Sequence, residues 1–166
     1  IENGRVNKNL SSFHLIKGLI INSFSDDIEG IINSIDNYEK KYNNYFSYLN
    51  HSYLEDGIII NVENGFQIKE TLNIVYVNSV EQILANTRLN ISIGENSSLN
   101  LKQYFIGDKD STNGFINHIS EFNVAKSSKL KIDKFQNFEQ GYNICLENIT
   151  QHESSYFSLN TFSNSG

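Results

Sequence analysis

Apolar and polar positions along this chain fall into a short pattern that returns four times. It reads ENGFQI at Glu63–Ile68, NSSLNL at Asn96–Leu101, SSKLKI at Ser127–Ile132 and SSYFSL at Ser154–Leu159. Each copy is a small polar turn followed by an apolar-x-apolar pair. The first apolar residues, Phe66, Leu99, Leu130 and Phe157, lie 33, 31 and 27 positions apart. An apolar strand ending precedes every turn: Ile60 and Val62, Ile91 and Ile93, Phe122 and Val124, and Ile144, Leu146 and Ile149. Strand, tight turn, strand, returning about every thirty residues, predicts a solenoid whose coils share one core. The alternation of Ile58, Ile60, Val62, of Leu72, Ile74, Tyr76 and of Leu89, Ile91, Ile93 gives each strand one buried and one solvated face. Gly65, Gly94 and the Ser pairs 97–98, 127–128 and 154–155 supply the turns. The return segments Asn78–Thr87, Gly107–Gly114 and Asn137–Tyr142 are read as exposed loops of uneven length. Because turn aligns with turn as well as strand with strand, the pattern favours a parallel β-helix over a β-sandwich.

The period changes upstream. Residues Ile1 to Phe24 read as short extended pieces, with Gly18 breaking the stretch Leu15–Ile21. Then Ile28, Ile31, Ile32, Ile35, Tyr38, Tyr42, Tyr45, Phe46 and Leu49 fall at three- and four-residue steps, the stripe of an amphipathic helix. Ser25 is its expected N-cap, and Asp26, Asp27 and Glu29 suit the positive end of the dipole. Gly30 costs about 1 kcal/mol there relative to Ala, so the first turn is expected to fray. Glu55-Asp56-Gly57 ends the helix and starts the solenoid. The chain therefore divides into an N-terminal region, 1–54, with short strands and one amphipathic helix, and the first rungs of a β-helix core, 55–166.

Composition narrows the function classes. The 166 residues are 39% hydrophobic and only 19% charged, with 25 Asn, 22 Ile and two Arg, and no Pro, Trp or Met. That bias fits an AT-rich coding sequence and takes weight from individual Asn residues. A net charge of −6 argues against a nucleic-acid surface, which needs clustered cations. The basic stretch Lys126, Lys129, Lys131 and Lys134 reads as a solvated strand face, since Lys129 and Lys131 alternate with Leu130 and Ile132. A single cysteine, Cys145, excludes an internal disulfide framework and suits a reducing compartment. There is no 18-residue apolar run. Ile1 stands where an initiator Met would, and Ser163–Gly166 closes on a strand without a cap, so we expect a segment of a longer protein truncated at the C-terminus.

Several stretches carry a resemblance. Phe46-Ser47-Tyr48-Leu49-Asn50 leading into Glu55-Asp56-Gly57-Ile58-Ile59-Ile60-Asn61-Val62-Glu63-Asn64-Gly65 resembles the start of the core domain in the SufB/SufD family. The likeness continues through Thr87–Leu101, Phe135-Gln136-Asn137 and Ser158–Ser163, and upstream through Glu2-Asn3-Gly4 and Asn9-Leu10-Ser11. SufB-like sequences carry a Cys-Thr-Ala-Pro stretch after the strand equivalent to Leu99–Phe105. This chain has Ile106-Gly107-Asp108-Lys109 there, which brings it closer to SufD. The resemblance implies a right-handed parallel β-helix in a non-catalytic, SufD-like subunit of the SUF iron-sulfur cluster assembly complex. Its implied partners are a SufB-like paralogue and the ABC ATPase SufC, which handles ATP and is bound mostly through parts beyond this segment. The iron-sulfur cluster belongs to the full complex. The family's ligating Cys and His positions have no counterpart here, so no catalytic, cofactor-binding or metal residue is carried over. The expected location is cytoplasmic, or plastid stroma or apicoplast.

The residues read alone are sparing with chemistry. An iron-sulfur or zinc site wants several Cys and His at short spacing. Here one Cys accompanies four scattered His: His14, His51, His118 and His152. If Ile144 and Leu146 point inward, Cys145 points outward, where a thiol could ligate a shared metal. His118 is expected inside as a hydrogen-bonded core residue, His152 in an exposed pair with Glu153, and His51 at the negative end of the helix. Asp108–Gly114 only faintly resembles a calcium loop, lacking the terminal Glu. No phosphate loop is present. The alternative from another class is a β-helix that binds or acts on saccharide at a surface. The absence of Trp and the crowding of Tyr into the helix count against it.

Overall fold

A computed structural model describes residues 1–12, 15–26, 44–107, 113–137 and 141–165. The chain is mainly β and forms a parallel β-helix. Among the described residues the strands are β1 (Leu19–Ser23), β2 (Asp56–Val62), β3 (Gln67–Asn78), β4 (Leu84–Ile93), β5 (Ser98–Gly107), β6 (Gly114–Val124), β7 (Lys129–Asn137), β8 (Gly141–Gln151) and β9 (Tyr156–Ser165), with one short α-helix, α1 (Tyr45–Ser52). Strands β2, β4, β6 and β8 stack in parallel as one sheet, with β1 antiparallel on its first edge, and β3, β5, β7 and β9 stack as the other. Each coil contributes one strand to each sheet. The core fills the space between them, with Ile60, Leu89, Ile91, Leu99, Leu101, Phe105, Phe122, Leu130 and Ile132 all buried.

The four polar turns stack on one another. Gly65, Asn96, Ser127 and Ser154 are the left-handed residues, at φ of 82°, 55°, 56° and 58°. The Gly65, Asn96 and Ser127 amides donate to the carbonyls of Glu95, Lys126 and Glu153 in the next coil, at 2.8, 3.1 and 3.0 Å. Backbone pairing thus continues around the corner; Gly65 and Asn96 take the left-handed conformation readily, whereas Ser127 and Ser154 adopt it against the ordinary preference of an L-residue. Residue spacing through the paired strands is 31, 31 and 27, because Gln67 pairs with Ser98, Ser98 with Lys129 and Lys129 with Tyr156. The first interval of 33 is corrected: Ile68, not Phe66, sits at the level of Leu99. Strand β3 carries two extra residues between Gln67 and Thr71, and that irregularity masks the true repeat. The return loops are shorter than expected too, since Leu84–Thr87 already belong to β4.

Only the end of the expected amphipathic helix lies among the described residues; positions 27–43, His14 and Asp108–Thr112 lie outside them. Ser25 falls in a 3-10 turn, Phe24–Asp26, and its amide donates to Asp56. Buried Asp56 also accepts from the amides of Val6 and Gly57, tying the N-terminal region to the first solenoid strand. Gly57 is required there, because a Cβ would lie 2.7 Å from the Arg88 carbonyl oxygen.

Helix α1 has eight residues, too few to be stable alone. Asn44 caps it, accepting from the Ser47 amide at 2.9 Å. Asn50, fully buried, fixes it to the outer face of the β4–β6 pair. Its Nδ2 donates to the carbonyls of Thr87 (3.1 Å) and Asn117 (2.8 Å), and its Oδ1 accepts from Arg88 Nε (2.9 Å). Asn117 Nδ2 donates in turn to the Phe46 carbonyl and to Asn86 Oδ1. We expect Asn50→Ala to cost about 2 kcal/mol, since it strands buried partners. Urea denaturation of the two proteins checks this, and a loss under about 0.5 kcal/mol would show that α1 docks by other means.

Candidate functional site inside the β-helix

The interior is not uniformly apolar. Parity decides which side chains enter it, and successive coils set them in columns. One column runs Ile74, Gln103, Lys134, Thr161. Facing it from the other sheet are Leu89, Ser120, Glu147 and Thr87, His118, Cys145. In the Ile74 and Leu89 columns an apolar residue is followed by polar ones in the later coils, while Leu130, Ile132, Phe122 and Val124 keep the levels beside them apolar.

His118 is fully buried, as expected from its alternation with Ile116 and Phe122. Its Nδ1 lies 2.8 Å from Thr87 Oγ1 and its Nε2 2.8 Å from Ser120 Oγ. Its ring meets Tyr76 and Phe105 edge-on, while those two rings stack at 4.4 Å. Burial, with a smaller contribution from the Lys134 charge, holds the imidazole well below its ordinary pKa, so it is neutral. Burial likewise pushes the Tyr76 phenol up.

The sequence places Lys134 on a solvated basic face, whereas the structure places it inside. Lys129 and Lys131 are exposed, and Lys126 is exposed and pairs with Glu153 at 2.8 Å. Lys134 is only 2% exposed; its Nζ pairs with the Glu147 carboxylate and lies 5.7 Å from the centre of the Phe105 ring. The signal was present: Lys134 shares parity with Leu130 and Ile132, both fully buried. Burial lowers its pKa, with Cys145 opposing.

Cys145 is also corrected. It pairs in register with His118 and packs against the interior core, whereas Ile144 and Leu146 pair with Asn117 and Ile119 on the outer face. Asn117 and Ile119 are fully buried, so the outer face is itself covered at this level and accepts apolar residues. Cys145 Sγ donates to Asn143 Oδ1 at 3.4 Å and accepts from Gln136 Nε2 at 3.8 Å. Burial raises its pKa, with Lys134 the largest opposing influence. A thiol held protonated, beside an imidazole whose nitrogens are engaged by Thr87 and Ser120, is not an activated Cys–His pair.

The remaining candidates stay apart. His51 Nδ1 lies 3.5 Å from Arg88 Nη2 at the end of α1. Exposed His152 meets Asn123 Oδ1 at 3.1 Å, not Glu153, which Lys126 takes. Among the described residues no three His, Cys, Asp or Glu side chains form a metal-holding group, and no helix is long and apolar enough to cross a membrane.

Fold and interior together define a parallel β-helix with a polar column along its axis and a helix docked on one sheet. No protein-family model matches the chain, and no curated protein matches it.

The neutral state of His118 makes stability depend on pH. Burial lowers the folded pKa, so stability is intact above about pH 6.5 and is lost as the pH falls below it, where only the unfolded chain takes up the proton. Between pH 7.5 and 5.5 the protein should lose about 1.4 kcal/mol more than its His118→Gln variant. Urea denaturation at the two pH values measures the difference; equal losses would mean that His118 is not held neutral.

Proposed function

We propose that the chain is the N-terminal part of a SufD-like subunit of the SUF iron-sulfur cluster assembly complex, non-catalytic and acting with a SufB-like paralogue and the ATPase SufC. The observation that carries this reading is positional. The stretch Phe46–Gly65 runs from the docked helix into the first solenoid strand and its turn. Thr87–Leu101 spans the strand, turn and strand of the next coil, and Ser158–Ser163 lies in the last strand of the same sheet. The resembling segments therefore occupy the junctions and coils that a β-helix behind an N-terminal region calls for. Reduced cytoplasm, plastid stroma or apicoplast suits such a subunit.

The saccharide reading has less support. A sugar platform presents an open aromatic face. The outward aromatic column Tyr104, Phe135, Phe162 stacks ring on ring at 5.2 and 5.1 Å, with interplanar angles of 12° and 13°. Neighbouring rings cover one another's faces, so the column offers an open face only at its end, where Phe162 is 53% exposed.

Affinity purification of the full-length parent protein from its own cells, with mass spectrometry of what comes with it, tests the proposal. An ABC-type ATPase together with a second β-helix protein is the expected recovery. Recovery of neither, with the protein located outside the cytoplasm or plastid, would overturn it.

A further inference from the structure

The repeat shortens by four residues at the last coil, a larger step than the change from 31 to 29 within the β3–β5 pairing. Strands β2, β4 and β6 follow one another at 31-residue intervals, as do β5 and β7, but β6 to β8 and β7 to β9 step by 27. The last coil cannot take its register from the same loop length as the others. Its apolar columns do not fix that register either. The inward β8 positions in register with Ile116, His118, Ser120 and Phe122 are Asn143, Cys145, Glu147 and Ile149, of which only Ile149 is aliphatic, and it is 44% exposed. A slip of two residues keeps every side chain on its own face, so hydrophobic burial discriminates weakly against it.

The buried ion pair falls at this coil. Lys134, on β7, lies inside with its ammonium on Glu147 of β8. If β8 slipped by two residues on β6, Ser120 would face Cys145 or Ile149 in place of Glu147. The ammonium would then be buried without its carboxylate, an expensive state. We propose that the Lys134–Glu147 pair is a register lock: it selects the single stacking of the β8–β9 coil where the repeat length breaks. Like other buried polar pairs that fix register, it trades stability for uniqueness. The other interior polar residues, Gln103, His118 and Ser120, form no ion pair with β8 and are not needed for this selection.

Cysteine trapping tests the lock. In a Cys145→Ser background, one version of the chain carries Asn123→Cys with Thr150→Cys, which are paired in the observed register. A second carries Asn123→Cys with Asn148→Cys, which come opposite only after a two-residue slip. Mild oxidation should cross-link the first version alone. Adding Lys134→Met with Glu147→Leu should keep the chain folded by circular dichroism while the slipped pair now forms as well, at one tenth or more of the yield of the observed pair. A folded double variant that still forms only the observed pair overturns the lock. If the double variant does not fold, the exchange Lys134→Glu with Glu147→Lys decides. Recovery of the observed cross-link alone supports the lock, and its loss overturns it.

Discussion

Everything in this fold follows from stacking strands in parallel, coil on coil, with backbone hydrogen bonds running along the axis even through the turns. With Gly65, Asn96, Ser127 and Ser154 in the left-handed conformation at one corner, the coils stack and each inward side chain lies against a side chain of the coil before. A side chain in such a structure has no private environment. It belongs to a column, and the column determines whether it is satisfied.

That constraint gives the polar interior its character. Lys134, Glu147, Cys145 and His118 meet because β6, β7 and β8 bring the same parity inward at neighbouring levels. Burial acts on three of these in the direction of neutrality, lowering His118 and Lys134 and raising Cys145. Lys134 keeps an acidic partner, and His118 is satisfied by two hydroxyls. The arrangement specifies and holds; it does not present an activated nucleophile or a cluster of metal ligands among the described residues.

The strands, the turns and the exit of α1 were legible because each rests on local chemistry: alternation, small turn residues, and an acidic-Gly step at Asp56-Gly57. What escaped was set by tertiary covering. Ile144 and Leu146 look inward by hydrophobicity, yet they lie half-buried on the outer face in register with buried Asn117 and Ile119, which reverses Cys145. Lys134 was grouped with its charged neighbours along the chain although its parity with Leu130 and Ile132 placed it inside. Asn50 and Asn117 were discounted on composition, yet they fasten α1 to the sheet through carbonyls that no sequence pattern announces. The first repeat was misaligned by the two extra residues in β3.

The central claim is that column parity, not hydrophobicity alone, decides what lies inside the last coil. The most direct measurement is a set of through-space NMR contacts from the Cys145 β-protons of the labelled chain. The account predicts contacts to the His118 ring and to the Gln136 side chain, with Ile144 and Leu146 contacting Asn117 and Ile119. Contacts from Cys145 to the Asn117 and Ile119 side chains, with Ile144 or Leu146 on the His118 ring, would contradict it.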